Sequence, residues 1–125
     1  MGREKKRLGG LGERMALEFL RNKGYEILER NLRTPFGEID AVAKAGPFTV
    51  FVEIKTRATS SLGPPYLAVT RSKQRHIIKN ALFYLKCRGA VYSDWRIDVV
   101  SVKLDLDRRI ESIELIENAV NDYNY

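Results

Sequence analysis

Residues 48–57, FTVFVEIKTR, leave less freedom of conformation than any other run in this chain. Val50, Val52 and Ile54 alternate with Phe51, Glu53 and Lys55, and β-branched residues at period two specify a strand. That strand carries an acid and a base two positions apart, so both project from one face. Upstream, Gly46-Pro47 separates it from a second β-rich run, 38–45, which holds Glu38 and Asp40 at the same spacing. With Gly46-Pro47 at the centre of a tight hairpin, cross-strand partners sum to 93. Asp40 then stands opposite Glu53 and Glu38 opposite Lys55, and strict alternation places Glu38 and Asp40 on a common face.

Two carboxylates opposed on a sheet repel each other by up to about 1 kcal/mol. A hard divalent cation between them, Mg²⁺ or Mn²⁺, reverses the sign. Lys55 beside it can orient an attacking water and stabilise charge that develops on a phosphate. An exposed sheet face with Glu38–Lys55 and Glu53–Arg57 ion pairs satisfies the same spacing, and the spacing by itself does not choose between the two.

Around this hairpin the chain reads as one domain over residues 1–125, with residues 1–9 a polar, basic and flexible leader. From about residue 10 to Lys23, Leu11, Met15, Ala16, Phe19 and Leu20 recur at helical spacing, and Gly24 is placed to stop that helix. Residues 25–33 read as a strand, Thr34-Pro35-Phe36-Gly37 as a turn, and 58–66 as a polar loop. A helix runs from an N-cap at Thr70 to about Lys86, with Ile77, Ile78, Ala81, Leu82 and Leu85 on one stripe and Gly89 closing it. Strands over 95–104 and 109–116 complete an α-β-β-β-α-β-β order. The fold class is α/β, a mixed sheet flanked by helices.

Charge adds a partner. Residues 1–90 carry eighteen Lys and Arg against eight Asp and Glu, a balance of +10, whereas residues 91–125 carry four against eight, a balance of −4. A basic body suits a polyanion such as a phosphate backbone, although a solvated basic surface has the same composition. Arg71, Lys73, Arg75 and Lys79 crowd the first half of the second helix and, with Arg57 and the Arg3–Arg7 cluster, read as phosphate contacts. Gly9, Gly10 and Gly12 read as a flexible helix entry rather than a phosphate cradle. No apolar run approaches the roughly 20 residues of a membrane span. A lone Cys87 forbids an internal disulfide, so a cytoplasmic location is expected.

Glu13 lies about 20° from Leu20 on an ideal helix, at the edge of the apolar stripe, where it can reach over the sheet or simply complement the helix dipole. His76 has no second histidine to share a zinc ion and reads as a surface residue. Cys87 reads as packing, and Asp98 as structural support for Arg96. Tyr66, Tyr84 and Tyr92 read as core or rim aromatics rather than base-stacking platforms.

Asp40, followed by Glu53-Ile54-Lys55, resembles the D…(D/E)-x-K signature of the restriction-endonuclease-like superfamily. The wider ordered set is similar to the YraN family: Gly12-Glu13, Gly24-Tyr25, Arg30-Asn31, Gly37-Glu38-Ile39-Asp40, Phe51 to Arg57, Lys73 and Arg96-Ile97-Asp98-Val99. It spans about residues 8 to 104 and resembles the archaeal Holliday-junction resolvases as well. The resemblance implies an α-β-β-β-α-β core and a divalent-metal site with Asp40, Glu53 and Glu13 as ligands and Lys55 positioning water. The catalytic set is then Asp40, Glu53 and Lys55, with Glu38 as a supporting acid or a partner for Lys55. The implied activity is hydrolysis of phosphodiester bonds in nucleic acid, DNA above all, branched or recombination intermediates included. Symmetric cutting of both strands by so small a nuclease calls for a homodimer. Two readings from other classes are a nucleic-acid-binding accessory protein that keeps the fold without turnover, and a protein-interaction module without metal.

Overall fold

The computed structural model describes residues 2–58 and 70–120, with side chains from residue 10 onward. Helix α1 (Gly2–Asn22) is followed by β1 (Glu26–Thr34), β2 (Gly37–Ala45) and β3 (Phe48–Ala58). Helix α2 (Arg71–Cys87), β4 (Trp95–Leu104) and β5 (Ile110–Ile116) complete the chain. This is the element order expected from sequence. The sheet runs β1-β2-β3-β4-β5, antiparallel except for the parallel pair β3–β4 that α2 connects. No helix among the described residues is long and apolar enough to cross a membrane.

The sheet has a helix on each face. Ala16, Leu17 and Leu20 of α1 pack with Ala41, Ala43, Val50, Val52, Val100 and Val102. Ile77, Ile78, Ala81, Tyr84 and Leu85 of α2 pack on the other side with Val42, Phe51, Ile97 and Val99. β3 is therefore buried on both faces, which explains why an acid within it needs partners of its own.

Both helices end as their glycines indicate. Gly24 adopts φ 93°. The Tyr25 and Gly24 amides donate back to Leu20 and Arg21 carbonyls, each at 3.0 Å. Gly89, at φ 63°, closes α2 in the same way, with the Ala90 amide on the Leu85 carbonyl at 2.8 Å. Thr70 caps α2 by accepting from the Lys73 amide at 3.2 Å.

Several expectations change. Helix α1 starts at Gly2 rather than near residue 10. Its first turns are rich in Arg, Glu and Lys, which favour helix while showing no apolar period to read. Gly12 is not part of a loose helix entry: a Cβ there would meet Thr56 Oγ1 at 1.9 Å, so the glycine lets α1 lie directly on β3. Cys87 is exposed, not packed. Tyr84 is in the core against Phe51, as expected, whereas Tyr92 is fully exposed and packs in neither core nor rim. The loop expected over 58–66, with Tyr66, lies outside the described residues apart from Ala58 at the end of β3. The Arg3–Arg7 side chains lie outside them as well, whereas Gly9 and Gly10 are within α1.

Candidate functional site

The hairpin register matches the sum of 93: Ala45 pairs with Phe48, Ala43 with Val50 and Ala41 with Val52. The paired residues end there, one position short of Asp40 and Glu53. Where the ladder would continue, the Asp40 carboxylate accepts the Ile54 amide at 2.7 Å. β2 also changes face at this point. Ala41 and Ala43 pack on the α1 side, yet Ile39 packs on the α2 side together with Val42. Strict alternation would keep Ile39 with Ala41, so the regular alternation expected along this run breaks at Asp40. Across from Asp40, between the pairs Arg30–Ala41 and Leu32–Ile39, Asn31 adopts φ 50°. The sheet opens here, and groups from both helices reach the opening.

From the α2 side comes Lys73. Its Nζ lies 2.6 Å from Glu53 Oε1, and Lys55 Nζ lies 3.6 Å from the same oxygen. Glu53 is almost wholly buried, at 5% exposed. From the α1 side comes Glu13. With its amide nitrogen turned to the acids, Asn31 donates to Glu13 Oε1 at 2.9 Å and to Glu38 Oε1 at 3.3 Å. Lys55 therefore pairs with Glu53 and not with Glu38, whose partner is Asn31.

The electrostatics follow from burial. Desolvation and then the Glu53 charge push the Asp40 pKa up to about 7. The Ile54 amide and Lys73 act against that rise, and Glu13 adds to it. The Lys55 pKa is lowered, first by burial and then by the hydrogen bond and charge of Lys73, against the pull of Glu53 and Asp40. Burial also works to lower Lys73, but its hydrogen bonds to Glu53 and Lys55 and the nearby carboxylates outweigh it, and the net shift is upward. Of the two lysines, Lys73 holds its proton as counter-ion to Glu53 and Lys55 is the readier to release one.

Among the described residues no three His, Cys, Asp or Glu side chains are gathered closely enough to enclose a metal ion as they stand. Mg²⁺ is commonly held by one or two carboxylates, with waters and substrate phosphates in the other positions. The Asp40–Glu53 pair has the donor chemistry for an ion of that kind, which would have to compete with Lys73 for Glu53.

Lys73 is the main difference from the sequence reading, which grouped it with Arg71, Arg75 and Lys79. The other three are exposed along the outer side of α2, one helical turn apart. Lys73 instead shares the inward stripe of Ile77, Asn80 and Tyr84, a helical spacing that would have separated it. Asn80, also unforeseen, is buried, donates to the His76 carbonyl at 2.9 Å and accepts from the Thr34 hydroxyl, tying α2 to the β1–β2 turn. An open cleft of about 370 Å³ lies between that turn and α2, lined by Glu38, Glu53, Lys73 and Phe36, with exposed His76 at its lip. Arg57 extends from the same strand, half-buried.

Asp98 is apart from this cluster, as expected. Fully buried on the α1 face, it accepts from Tyr25 Oη at 2.8 Å, Arg96 Nε at 3.0 Å and the Asn118 amide at 2.9 Å. Burial, then the Asp98 hydrogen bond and charge, push the Tyr25 pKa up to about 12. This network ties the end of α1 to β4 and to the segment after β5.

The family model described as "Uncharacterised protein family UPF0102" matches residues 12–102, which include every member of the cluster. A UPF0102 protein of Caldicellulosiruptor saccharolyticus is 44% identical over 92% of this chain and 98% of its own length. Another, of Desulfosudis oleivorans, is 46% identical over 93% of this chain and 91% of its own. A solved structure of Pyrococcus furiosus SfsA in complex with Ca²⁺ covers 90% of this chain and 62% of that one, at 18% identity and a TM-score of 0.40. That likeness is too low to carry an argument. The chain belongs to the UPF0102 family of YraN-like proteins.

Proposed function

We propose that this protein is a divalent-metal-dependent nuclease of the restriction-endonuclease-like kind, hydrolysing phosphodiester bonds in nucleic acid, DNA first. One observation carries the reading. Asp40 and Glu53 meet at an opening in the sheet with Lys55 and Lys73 against them. A protein that only had to fold would gain by removing such a pair of buried acids. Mg²⁺ or Mn²⁺ bound there would polarise a phosphate and activate water.

Asp40 and Glu53 would hold the ion, and Glu13, held by Asn31, would have to move closer to add a carboxylate. Lys55 Nζ, with its lowered pKa, orients the attacking water and can accept its proton. With an ion at Glu53, Lys73 would be displaced from that carboxylate and free to meet a phosphate oxygen. Arg71, Arg75 and Lys79 hold the strand by its backbone without reading sequence.

The test is cleavage of labelled single-stranded, duplex, flapped and four-way-junction DNA, each with Mg²⁺, with Mn²⁺ and with EDTA. Wild type should cut at least one substrate only with metal. Asp40→Ala and Lys55→Ala should each lower the rate at least a hundredfold while binding stays within a few fold. Metal-independent cutting, or cutting that Asp40→Ala retains, removes the assignment. Binding without turnover on every substrate transfers the protein to the accessory class.

A further inference from the structure

Phe36 lines two clefts at once. One is the acidic cleft of Glu53, Glu38 and Lys73. The other is a neighbouring groove of about 350 Å³, formed with Phe83, Leu82, Lys79 and Lys86 of α2. The phenyl ring is not core: Phe36 is 46% exposed and Leu82 39%. It projects from the two-residue turn between Thr34 and Gly37, which pair with each other, and Gly37 at φ 135° lets that turn close. Its place is fixed nonetheless. The Phe36 amide donates to Thr34 Oγ1 at 3.0 Å, the same hydroxyl donates to buried Asn80, and the ring meets Phe83 edge to face at 6.1 Å.

Resting on the nuclease reading, we propose that Phe36 is a stacking platform for an unpaired base, so that the substrate is single-stranded or carries a single-stranded branch beside the scissile bond. Lys79 and Lys86 select this occupant. They are the only charged groups lining the groove among the described residues, and seven residues of helix separate them by about 10 Å. A groove that combines an apolar floor, an exposed ring and two ammonium groups matches a base with its flanking phosphates. Because Phe36 borders both clefts, a strand crossing it passes directly from the groove to Glu53 and Lys73. A paired base is stacked on its neighbours and cannot present its face to the ring.

The experiment uses the full chain in EDTA, where no turnover enters. A single-stranded oligonucleotide carrying 2-aminopurine is titrated with protein, in deoxy and ribo forms, beside the same label within a duplex. Wild type and Phe36→Tyr should change the label's fluorescence in the single strand and not in the duplex. Phe36→Ala should bind roughly tenfold more weakly and leave the label unperturbed. The double variant Lys79→Ala/Lys86→Ala, which leaves the ring in place, should lower the salt slope of single-strand binding by about 1.4. Binding and fluorescence unchanged by Phe36→Ala, or no binding of any single strand by wild type, overturn the proposal. Metal-dependent cleavage with the same substrate preference in Phe36→Ala would overturn it while leaving the nuclease reading intact. A response to Phe36→Ala in EDTA from a protein that never cuts would retain the platform and remove the turnover.

Discussion

At the scale of single residues, Asp40 is where folding and chemistry oppose each other. Its pKa rises from 3.8 to about 7 on folding, so the native state binds that proton more tightly than the unfolded chain. The carboxyl therefore favours folding in acid. It costs stability as pH climbs from about 4 through about 7, and the cost is constant above that. Asp40→Asn keeps an oxygen for the Ile54 amide and removes the charge. In EDTA it should be more stable than wild type at pH 8, by at most about 4 kcal/mol at about 1.4 per pKa unit, with the gain shrinking toward pH 4. Urea unfolding at the two pH values measures this. A variant equally destabilised at both would mean that Asp40 carries no buried-charge penalty. The placing of Asp40 across from Glu53 was legible from the hairpin spacing, because period two and a two-residue turn fix who stands opposite whom, whereas the Glu38–Lys55 pair read from the same spacing is not formed. The roles of Asn31, Lys73 and Asn80 were not, because each acts on a residue far away in the chain.

Elements owe their placement to small side chains. Gly12 brings α1 onto Thr56 of β3 and so delivers Glu13 to the opening in the sheet. Gly12→Ala gains helix propensity of about 1 kcal/mol but forces the helix away from β3, a strain typically of about 1–3 kcal/mol. The net expectation is a loss of up to about 2 kcal/mol. Gly10→Ala, two residues earlier with nothing within 4 Å of its new Cβ, should instead gain up to about 1 kcal/mol. Paired chemical denaturation of the two variants isolates contact from propensity, and equal effects would show that α1 does not rest on Thr56. The strand and helix bounds after residue 25 were readable almost to the residue, since each is punctuated by glycine, proline or a cap. The start of α1 was not, because a charged helical turn without an apolar face has no period.

For the whole molecule, the cluster joins both helices to the central strands, so binding there should be felt globally. A divalent cation held by Asp40 and Glu53 would stabilise the folded state alone. At a hundredfold excess over its Kd the gain is about 2.7 kcal/mol, a rise of several degrees in Tm. Mn²⁺ at pH 8 should raise the Tm of wild type and leave Asp40→Asn and Glu53→Gln unmoved. An equal rise in all three would assign the ion to another place.

By itself the sequence determined the order of elements, the hairpin register, the C-terminal ends of both helices and the meeting of Asp40 with Glu53, because these depend on period, turn chemistry and spacing within short stretches. The tertiary structure alone decided three things. β2 turns over at Asp40 and opens the sheet. Lys73 reaches in from α2 to neutralise Glu53. Phe36 is left bare between two clefts. Each depends on how distant elements pack against one another, and local alternation carries no record of that.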